Sequence, residues 1–426
     1  MDPQKARCFF KLRSFLPAYP FSLSGSQWTS LLSAGAFVFL VSTPCWAGGL
    51  YITEWGTPST GVANAGAAAV GQDASTAWKN PASMTLLSGT QIMGAGGLLI
   101  PNVKFDPDSD TPVPGGDGGQ AGDPAGVMGT YFVHSLTDTL KFGFALTSAA
   151  GAGLNYKSNW AGRQQATEVE LLTVTGTPSL AFKHHWLSLS AGLQVSYGTL
   201  NTFELKAPNP AESKVEADGD DWVVGYSVGA LVEFSERTRL GVKYNSKTKY
   251  KFDGDLKVSG GALGGVKVDS TLEIELPQFV EVGLYHELND QVALLATVNW
   301  EDWSALDEVP LSAGNVSGGI PTNWKDTYKL AGGVHYRPSK PWLLMTGFAY
   351  DSSPVDAKDR QAWAPADRQL RYAVGTQYQW SERLNLGANF EYMDGGKGKI
   401  NDKTTLKGDY KRNEIFFLGL NANWTF

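Results

Sequence analysis

The sequence predicts an all-β fold, namely a 14-stranded antiparallel transmembrane β-barrel with an N-terminal hatch that plugs its lumen. Three observations predict this fold. Apolar and polar residues alternate along many segments, short and long connections alternate between these segments, and the last segment ends on the aromatic residue Phe426. A barrel in lipid requires an apolar and a polar face on every strand, with short turns at one rim and longer loops at the other.

The alternation is clearest between Leu187 and Tyr197, where every second residue is apolar and the residues between them are small or polar. A soluble β-sandwich with one buried face would show the same period. Sandwich strands are usually shorter, however, and the apolar rows here often end in Tyr or Trp, as in a lipid-facing band with interfacial aromatics. Because lipid offers no hydrogen-bond partners, strands in a membrane must close on themselves.

The candidate strands number fourteen, an even number. They are expected at residues 90–101, 126–135, 140–149, 169–184, 187–205, 222–235, 238–252, 271–287, 291–303, 326–337, 341–351, 369–380, 383–394 and 413–426. Tight turns such as 184–185 and 381–382 alternate with long polar connections such as 150–168 and 304–325. This order places all tight turns at one rim and all long loops at the other.

Residues 1–47 are predicted to form a signal peptide. A basic segment at 5–13 precedes an apolar stretch at 31–41, and Cys45-Trp46-Ala47 offers small residues where a signal peptidase cuts. A lipoprotein signal at Cys45 is the alternative, but no Leu stands three residues before this cysteine. Cleavage after Ala47 is therefore expected, once the signal peptide has directed the chain across the inner membrane.

The remaining residues, 48–426, hold 31 basic and 41 acidic side chains and no cysteine. This balance argues against a nucleic-acid partner and excludes thiolate chemistry. The acidic run at 106–110 resembles half a calcium loop but lacks the Gly and the distal Glu of that motif. The histidines show no His-x-x-x-His spacing, and no Gly-x-Ser-x-Gly sequence occurs. No metal, cofactor or catalytic residue is therefore predicted.

Residues 48–88 are predicted to be the hatch, and residues 89–426 the barrel. The hatch segment is dense in Gly and Ala, above all from Gly61 to Gly71, so it has few side chains with which to build a core of its own. It must therefore pack inside another structure. Its end reads Lys79-Asn80-Pro81-Ala82, and Asn before Pro favours an extended or turn geometry.

These residues resemble the FadL/TodX (OmpP1) family of outer-membrane transporters for hydrophobic compounds. Asn80-Pro81-Ala82 is similar to the Asn-Pro-Ala signature of that family's hatch. Trp300-Glu301-Asp302-Trp303-Ser304 is similar to part of the family's central strand pair, and Lys325-Asp326-Thr327-Tyr328 is similar to a stretch that opens a Gly-rich strand there. The segment from Tyr350 to Val355, with Arg360, Pro365 and Asp367-Arg368 after it, is similar too. The resemblance extends over residues 48–426.

The resemblance implies passive uptake of long-chain fatty acids or aromatic hydrocarbons through a monomeric barrel that the outer-membrane assembly machinery inserts in a Gram-negative bacterium. In that family the ligand moves the hatch and leaves sideways through a gap beside a kinked strand. By position, the gap is expected at Ala149, Gly151 and Gly153, because glycine in a strand often marks a bend. Asn80, Pro81 and Ala82 would act in the hatch, and Leu50 and Tyr51 would reach into the binding pocket.

Lys325 matches a position at which fatty-acid carriers keep a basic residue near the ligand head group. A surface loop lysine at a strand start is the alternative. The second basic residue that such carriers require should fall near 197–200, where this chain has none. We therefore expect toluene-like compounds to bind at least as well as long-chain fatty acids.

Two other functions remain open. A nonspecific porin or a structural barrel would use the same strands, but it would not need an internal plug. A barrel enzyme such as a lipase would require Ser, His and a carboxylate placed together on the wall, and nothing in the sequence singles out such a set.

Overall fold

The computed structural model describes residues 51, 53, 55–148, 151–207, 212–261 and 264–426. The predicted signal peptide at 1–47, as well as Leu50 and Ala149, lie outside the described residues. Within the described part of the chain, no helix has the length and apolar character needed to cross a membrane.

The described chain is almost entirely β-structure. Its twenty strands are β1 (Thr90–Pro107), β2 (Ala125–Ser135), β3 (Leu140–Thr147), β4 (Gly151–Asn155), β5 (Glu168–His184), β6 (Leu187–Ala207), β7 (Ser213–Ser235), β8 (Thr238–Asn245), β9 (Thr248–Ser259), β10 (Val266–Leu276), β11 (Phe279–Glu287), β12 (Val292–Glu301), β13 (Glu308–Ala313), β14 (Val316–Pro321), β15 (Thr327–Ser339), β16 (Trp342–Asp351), β17 (Gln369–Gln379), β18 (Leu384–Asp394), β19 (Ile400–Asn401) and β20 (Lys407–Thr425). One short helix, α1 (Thr76–Lys79), and three 3-10 helices (Pro58–Val62, Pro81–Leu86 and Trp303–Ala305) complete the described elements.

The strands close into a 14-stranded antiparallel barrel, as predicted, because β1 pairs with β2 on one side and with the last strand, β20, on the other. Three wall positions each consist of two consecutive segments: β3 with β4, β8 with β9, and β10 with β11. The hairpin β13–β14 lies in a long connection and adds to β10, and the two-residue β19 pairs with β20. Tight turns and longer connections alternate, although the strands β6, β7, β9 and β10 take up most of two of the expected long connections.

The two faces of the wall carry opposite chemistry. On β5 the buried row is polar, with Thr173, Thr175 and Thr177 each 1% exposed, whereas the outer row carries exposed apolar residues such as Leu180 and Phe182. A water-soluble protein buries its apolar rows instead. Outward apolar rows on long closed strands are the arrangement of a barrel surrounded by lipid.

Several strands extend beyond the expected bounds on the side of the long connections. The expected strand 222–235 in fact begins at Ser213, and it pairs with β6 up to Ala207. Its first residues are charged, which in sequence indicates a loop, but cross-strand ion pairs such as Lys214–Glu204 and Lys257–Asp218 hold them in the sheet, at 2.6 and 3.1 Å. The pairing of β6 with β7 therefore continues well beyond the expected strand bounds.

Candidate functional site: the hatch and the broken wall strand

The residues from Trp55 to Leu87 are mostly buried and lie inside the barrel, where they contact strands around the circumference. The wall makes room for the hatch main chain with inward-facing glycines. A side chain at Gly241 would overlap the carbonyl group of Ala68, and one at Gly347 would overlap Val62. The small residues of the hatch thus lie against bare backbone of the wall, which explains why both partners are rich in Gly and Ala.

Side-chain amides of the wall bind the main chain of the hatch. Asn389 Nδ2 donates to the carbonyl oxygens of Gly56 and Thr57, at 2.9 and 3.2 Å, and Asn421 Nδ2 donates to Gly56 at 2.8 Å. On the opposite side, Thr297 Oγ1 accepts from the amide of Gly66 at 2.8 Å. Because the hatch has little regular structure, these wall groups satisfy buried backbone atoms that would otherwise lack partners.

Asn80 fastens the end of the hatch. Its Nδ2 donates to the carbonyl oxygens of Ala68, in the hatch, and of Ala230, on β7, at 2.8 and 3.0 Å. Its Oδ1 accepts from the amide of Ala82 and so caps the 3-10 helix that begins at Pro81. Pro81 stands at the first position of this helix, where no amide hydrogen is needed. All three residues of the predicted motif are buried in the hatch.

The third wall position is divided into two strands, β3 and β4, which both pair with β5. The ladder between β2 and β3 ends at the pair Gly129–Thr147, although β2 continues to Ala125. Beyond the break, β4 pairs with β5 from Gly151 to Asn155, and among the described residues it has no ladder with β2. Gly151 and Gly153 therefore lie in a segment that is attached to the wall on one side.

The hatch reaches this break directly. The indole Nε1 of Trp55 donates a hydrogen bond of 2.8 Å to the main-chain oxygen of Ser148, the last described residue before the break. The Trp55 side chain is 2% exposed and stands edge-on against Trp78, with ring centroids 5.7 Å apart. Trp55 therefore joins the hatch to the wall just after the end of β3.

An aromatic cluster occupies the lumen near the long connections. Tyr51 packs against Phe279 and Trp303, with ring centroids 5.7 and 5.6 Å apart, and its hydroxyl donates to the carbonyl oxygen of Pro277 at 2.5 Å. The row continues through Trp324 and Trp363 at centroid distances of 5.0 and 6.4 Å. Tyr51 thus lies among aromatic side chains that would also suit a hydrophobic ligand.

A row of polar side chains crosses the inner wall beside this cluster. Five residues face one another on the adjacent strands β8, β11, β12, β15 and β16, namely Lys243, Glu281, Asn299, Lys329 and Asp351. Next to the row, Arg371 Nε pairs with Asp351 at 3.1 Å, while its Nη1 donates to Thr53 Oγ1 at 3.1 Å. Sequence reasoning missed this row, because only the strand register brings these residues together.

Two lysines lie between the aromatic cluster and the broken strand. Lys79 Nζ donates to Asn64 Oδ1 at 2.6 Å and lies 4.7 Å from the centre of the Trp55 ring. Lys243 Nζ donates to the carbonyl oxygen of Trp78 at 2.6 Å and lies 4.4 Å from the centre of the Trp78 ring. Both ammonium groups are buried and held by neutral acceptors and aromatic faces, and Glu281 lies opposite Lys243 on the neighbouring strand β11.

Lys325 does not belong to this luminal site. Its side chain is 58% exposed and its Nζ pairs with Asp356 Oδ2 at 2.5 Å among the long connections. The reason is its position before β15 begins, where the chain has not yet entered the wall. In this structure Lys325 is an exposed lysine of a surface connection. Within the described residues, no group of three or more His, Cys, Asp or Glu side chains is arranged to hold a metal ion.

Comparison with known proteins agrees with this architecture. The chain is 26% identical to the long-chain fatty acid transport protein of Escherichia coli O6:H1, over 91% of this chain and 97% of the relative, and 25% identical to the 47 kDa outer membrane protein of Pasteurella multocida, over 94% and 99%. Among solved structures it is similar to a Pseudomonas aeruginosa FadL homologue, with a TM-score of 0.81, 22% identity and coverage of 89% of this chain and 100% of the other.

The Pseudomonas putida toluene transporter TodX shares the fold with a TM-score of 0.70 at 14% identity, over 87% of this chain and 98% of the other. A family model for outer membrane protein transport proteins (OMPP1/FadL/TodX) matches residues 38–426. The match covers the hatch and every strand of the barrel. This protein therefore belongs to the OMPP1/FadL/TodX family of transport proteins and resides in the outer membrane of a Gram-negative bacterium.

Proposed function

We propose that this protein carries long-chain fatty acids or aromatic hydrocarbons passively across the outer membrane, by movement of the hatch and lateral release at the broken wall strand. The observation that carries the proposal is the contact between Trp55 and Ser148, which joins the hatch to the break. Relatives support the choice of cargo: one is named a long-chain fatty acid transport protein, and similar structures are a toluene transporter and a monoaromatic hydrocarbon channel.

The energetics of a hydrophobic cargo require a pocket that changes shape. Burying a CH₂ group contributes about 0.8 kcal/mol, so a chain of a dozen carbons gains roughly 10 kcal/mol in an apolar pocket. Capture is therefore easy, and release limits transport. A hatch that lies on glycines can shift without extracting interlocked side chains, and a shift at Trp55 would uncover the break and the lipid beyond it.

In this mechanism Tyr51 occupies the binding site before a ligand arrives. It fills the aromatic cluster that a ligand would enter, so binding has to displace it. Displacement would pull on the segment that contains Trp55, four residues further along the chain. Leu50, Asn80, Pro81 and Ala82 remain the other proposed hatch residues, and Ala149, Gly151 and Gly153 the proposed opening.

The two buried lysines extend the range of cargo. The aromatic cluster would bind a hydrocarbon without a charged partner, as expected for toluene-like compounds. A fatty acid moving from Tyr51 towards Ser148 would bring its carboxylate past Lys243 and Lys79, which take the part that the sequence assigned to Lys325. We infer that both classes bind.

We also propose how the protein is inserted into the membrane and that it acts as a monomer. The terminal aromatic strand ending at Phe426 suits insertion by the outer-membrane assembly machinery, and the closed wall suits a monomer surrounded by outer-membrane lipid. We infer no catalytic activity, since the family is one of transport proteins. The porin alternative is not favoured, because the hatch contacts strands around the lumen.

A reversible crosslink tests the movement of the hatch. Thr85 Oγ1, in the hatch, lies 2.7 Å from Ser188 Oγ on β6, and no cysteine follows Cys45 in the sequence. Replacing both hydroxyls by thiols, in Thr85→Cys/Ser188→Cys, places two sulfur atoms close to the bonding distance of about 2.05 Å. We expect oxidation to slow the uptake of labelled oleate and toluene at least tenfold, and reduction to restore it.

The matched control joins two wall strands and leaves the hatch free. Thr175 Oγ1 and Ser196 Oγ are 2.6 Å apart on β5 and β6, so Thr175→Cys/Ser196→Cys forms an equivalent bridge. Its oxidation should leave uptake unchanged. Equal uptake by the oxidised and reduced forms of the hatch crosslink would contradict hatch movement, and rapid passage of small sugars through the wild type would favour a porin.

A further inference from the structure

The outer surface of the barrel carries a groove that the transport mechanism does not use. It has a volume of about 540 Å³ and lies over β15 to β18. Glycines 332, 333 and 347 form its floor, and Phe348, Tyr372, Phe390 and Tyr392 form its sides. This volume falls within the range of about 300–1,000 Å³ that is usual for ligand pockets.

The groove faces lipid. Phe348 and Tyr372 belong to outward rows of their strands and are 43% and 49% exposed. At Gly332 the floor is open, since a Cβ atom placed there would meet no atom within 4 Å. On the inner side of the same wall, Val62 of the hatch contacts Gly333 and Gly347. At this place only the backbone of the wall therefore separates the hatch from the lipid.

An aromatic row marks the upper end of the groove. Phe348, Tyr372, Tyr392 and Phe416 stand directly opposite one another on four adjacent strands, with ring centroids 5.2, 6.3 and 5.2 Å apart. Aromatic residues with polar groups gather at the level of the lipid head groups. The row therefore places the groove in the outer leaflet, because the long connections follow at this end of the strands.

Two arginines lie above the aromatic row on the same outer face. Arg368 Nη2 pairs with Asp394 Oδ2 at 3.0 Å, and Arg412 Nη1 pairs with Glu414 Oε1 at 2.9 Å. Arg368 Nη1 also donates to the carbonyl oxygen of Asp394 at 3.1 Å, and the two side chains are 36% and 58% exposed. Since a guanidinium has five N–H groups, each keeps donors that these contacts do not use. The guanidinium group matches the geometry of phosphate oxygens and is favoured where phosphate is bound.

We propose that this groove binds a phosphorylated lipid of the outer leaflet, with one acyl chain over Gly332 and the phosphate at Arg368 and Arg412. The acyl chain fills the depression between the aromatic sides. The phosphate lies two outward positions above the aromatic row, beyond the carboxylates of Asp394 and Glu414, at the level of the head groups. The lipid thereby covers from outside the thin part of the wall that the hatch touches from inside.

The test fills the groove without disturbing the fold. Gly332→Leu places a side chain in the open floor, and Gly94→Leu is the matched control, because Gly94 also faces outwards on β1 and also has no atom within 4 Å of an added Cβ. Each protein is purified as the full chain in detergent, mixed with purified bisphosphorylated lipid A, and weighed by native mass spectrometry. Heat-dependent migration in gel electrophoresis verifies that each barrel is folded.

We expect the wild type and Gly94→Leu to retain one lipid A molecule and Gly332→Leu to retain at least tenfold less. Dephosphorylated lipid A, and the double variant Arg368→Gln/Arg412→Gln with intact lipid A, should each show retention reduced at least fivefold. The proposal is overturned if the wild type retains no lipid, or if folded Gly332→Leu and Gly94→Leu retain it equally.

Discussion

Trp55 and Ser148, 93 positions apart in the chain, are joined by a hydrogen bond from the indole nitrogen to the main-chain oxygen. Ser148 is where the third wall strand leaves the ladder with β2, and Trp55 belongs to the segment that leads to Tyr51 in the aromatic cluster. The binding cluster and the break are thus connected through five residues of chain and one side chain. In the proposed mechanism, this connection would transmit ligand binding to the lateral opening.

Removing this hydrogen bond should favour the open state. Trp55→Phe keeps an aromatic ring beside Trp78 but has no donor for Ser148. A buried hydrogen bond contributes about 1 kcal/mol, which corresponds to roughly a fivefold change in the balance of closed and open forms. We expect faster toluene uptake and faster amide exchange at residues 151–155. Trp342→Phe, on the lipid-facing surface, is the control, and unchanged exchange in Trp55→Phe would contradict the coupling.

Loss of the Asn80 side chain should loosen the hatch. Asn80→Ala removes the bonds to Ala68, Ala230 and Ala82, and about 1 kcal/mol for each gives a destabilisation of roughly 3 kcal/mol. We expect proteoliposomes that contain the variant to admit small sugars, measured by swelling. Asn201→Ala removes an exposed hydrogen bond to Glu170, and proteoliposomes that contain this variant should still exclude small sugars. Equal swelling of the two variants would show that Asn80 does not hold the hatch.

A methyl group at Gly241 should prevent the hatch from seating. Because a Cβ at this position would overlap the Ala68 carbonyl, Gly241→Ala forces the hatch away from β8. Overpacking of this kind typically costs about 1–3 kcal/mol. We expect a lower midpoint of thermal unfolding and accelerated proteolysis near 68–70. Gly94→Ala, which meets open space, should behave as the wild type; the interpretation fails if the two variants are equally stable.

Fatty-acid binding should weaken above pH 8 if Lys79 contacts the carboxylate. Burial lowers the pKa of Lys79 to about 8, partly offset by the charge of Glu281. The cation is therefore lost as the pH rises through 8. Lys79 would titrate near 10.4 in the unfolded chain, so between these values the unfolded state binds more protons and the stability of the folded state rises with pH.

Between pH 7 and pH 9.5 we expect the affinity for dodecanoate to fall about fivefold and the affinity for toluene to stay constant. Binding can be measured by calorimetry in detergent. Lys79→Arg keeps its charge throughout this range and should give a flat profile for both ligands. A flat dodecanoate profile in the wild type would exclude Lys79 as a carboxylate partner.

The wall could be predicted from sequence because its signal is local. Alternation such as that from Leu187 to Tyr197 depends on neighbouring residues, and it fixes both the strand and its lipid face. The extension of β7 down to Ser213 was missed, because its charged residues are stabilised by partners on other strands. The hairpin β13–β14 was missed for the same reason, since it depends on pairing with β10.

The site was less predictable because it depends on register and on long-range contacts. Asn80 and Tyr51 could be named from the resemblance, but their partners Ala230 and Pro277 lie 150 and 226 positions away. The luminal row from Lys243 to Asp351 has no motif in sequence, and only pairing aligns it. Lys325 matched the family by its position in the sequence, but it precedes the first residue of β15 and so lies outside the wall.

The length of β6 and β7, 21 and 23 residues, has a consequence outside the membrane. About 10 residues of a tilted strand suffice to cross the hydrocarbon layer, so a substantial part of each strand stands beyond it on the side of the long connections. Hydrogen-bonded sheet resists proteases that digest flexible loops. When intact cells are treated with protease, the projecting part of β6 and β7 should therefore remain uncut after flexible surface loops have been digested.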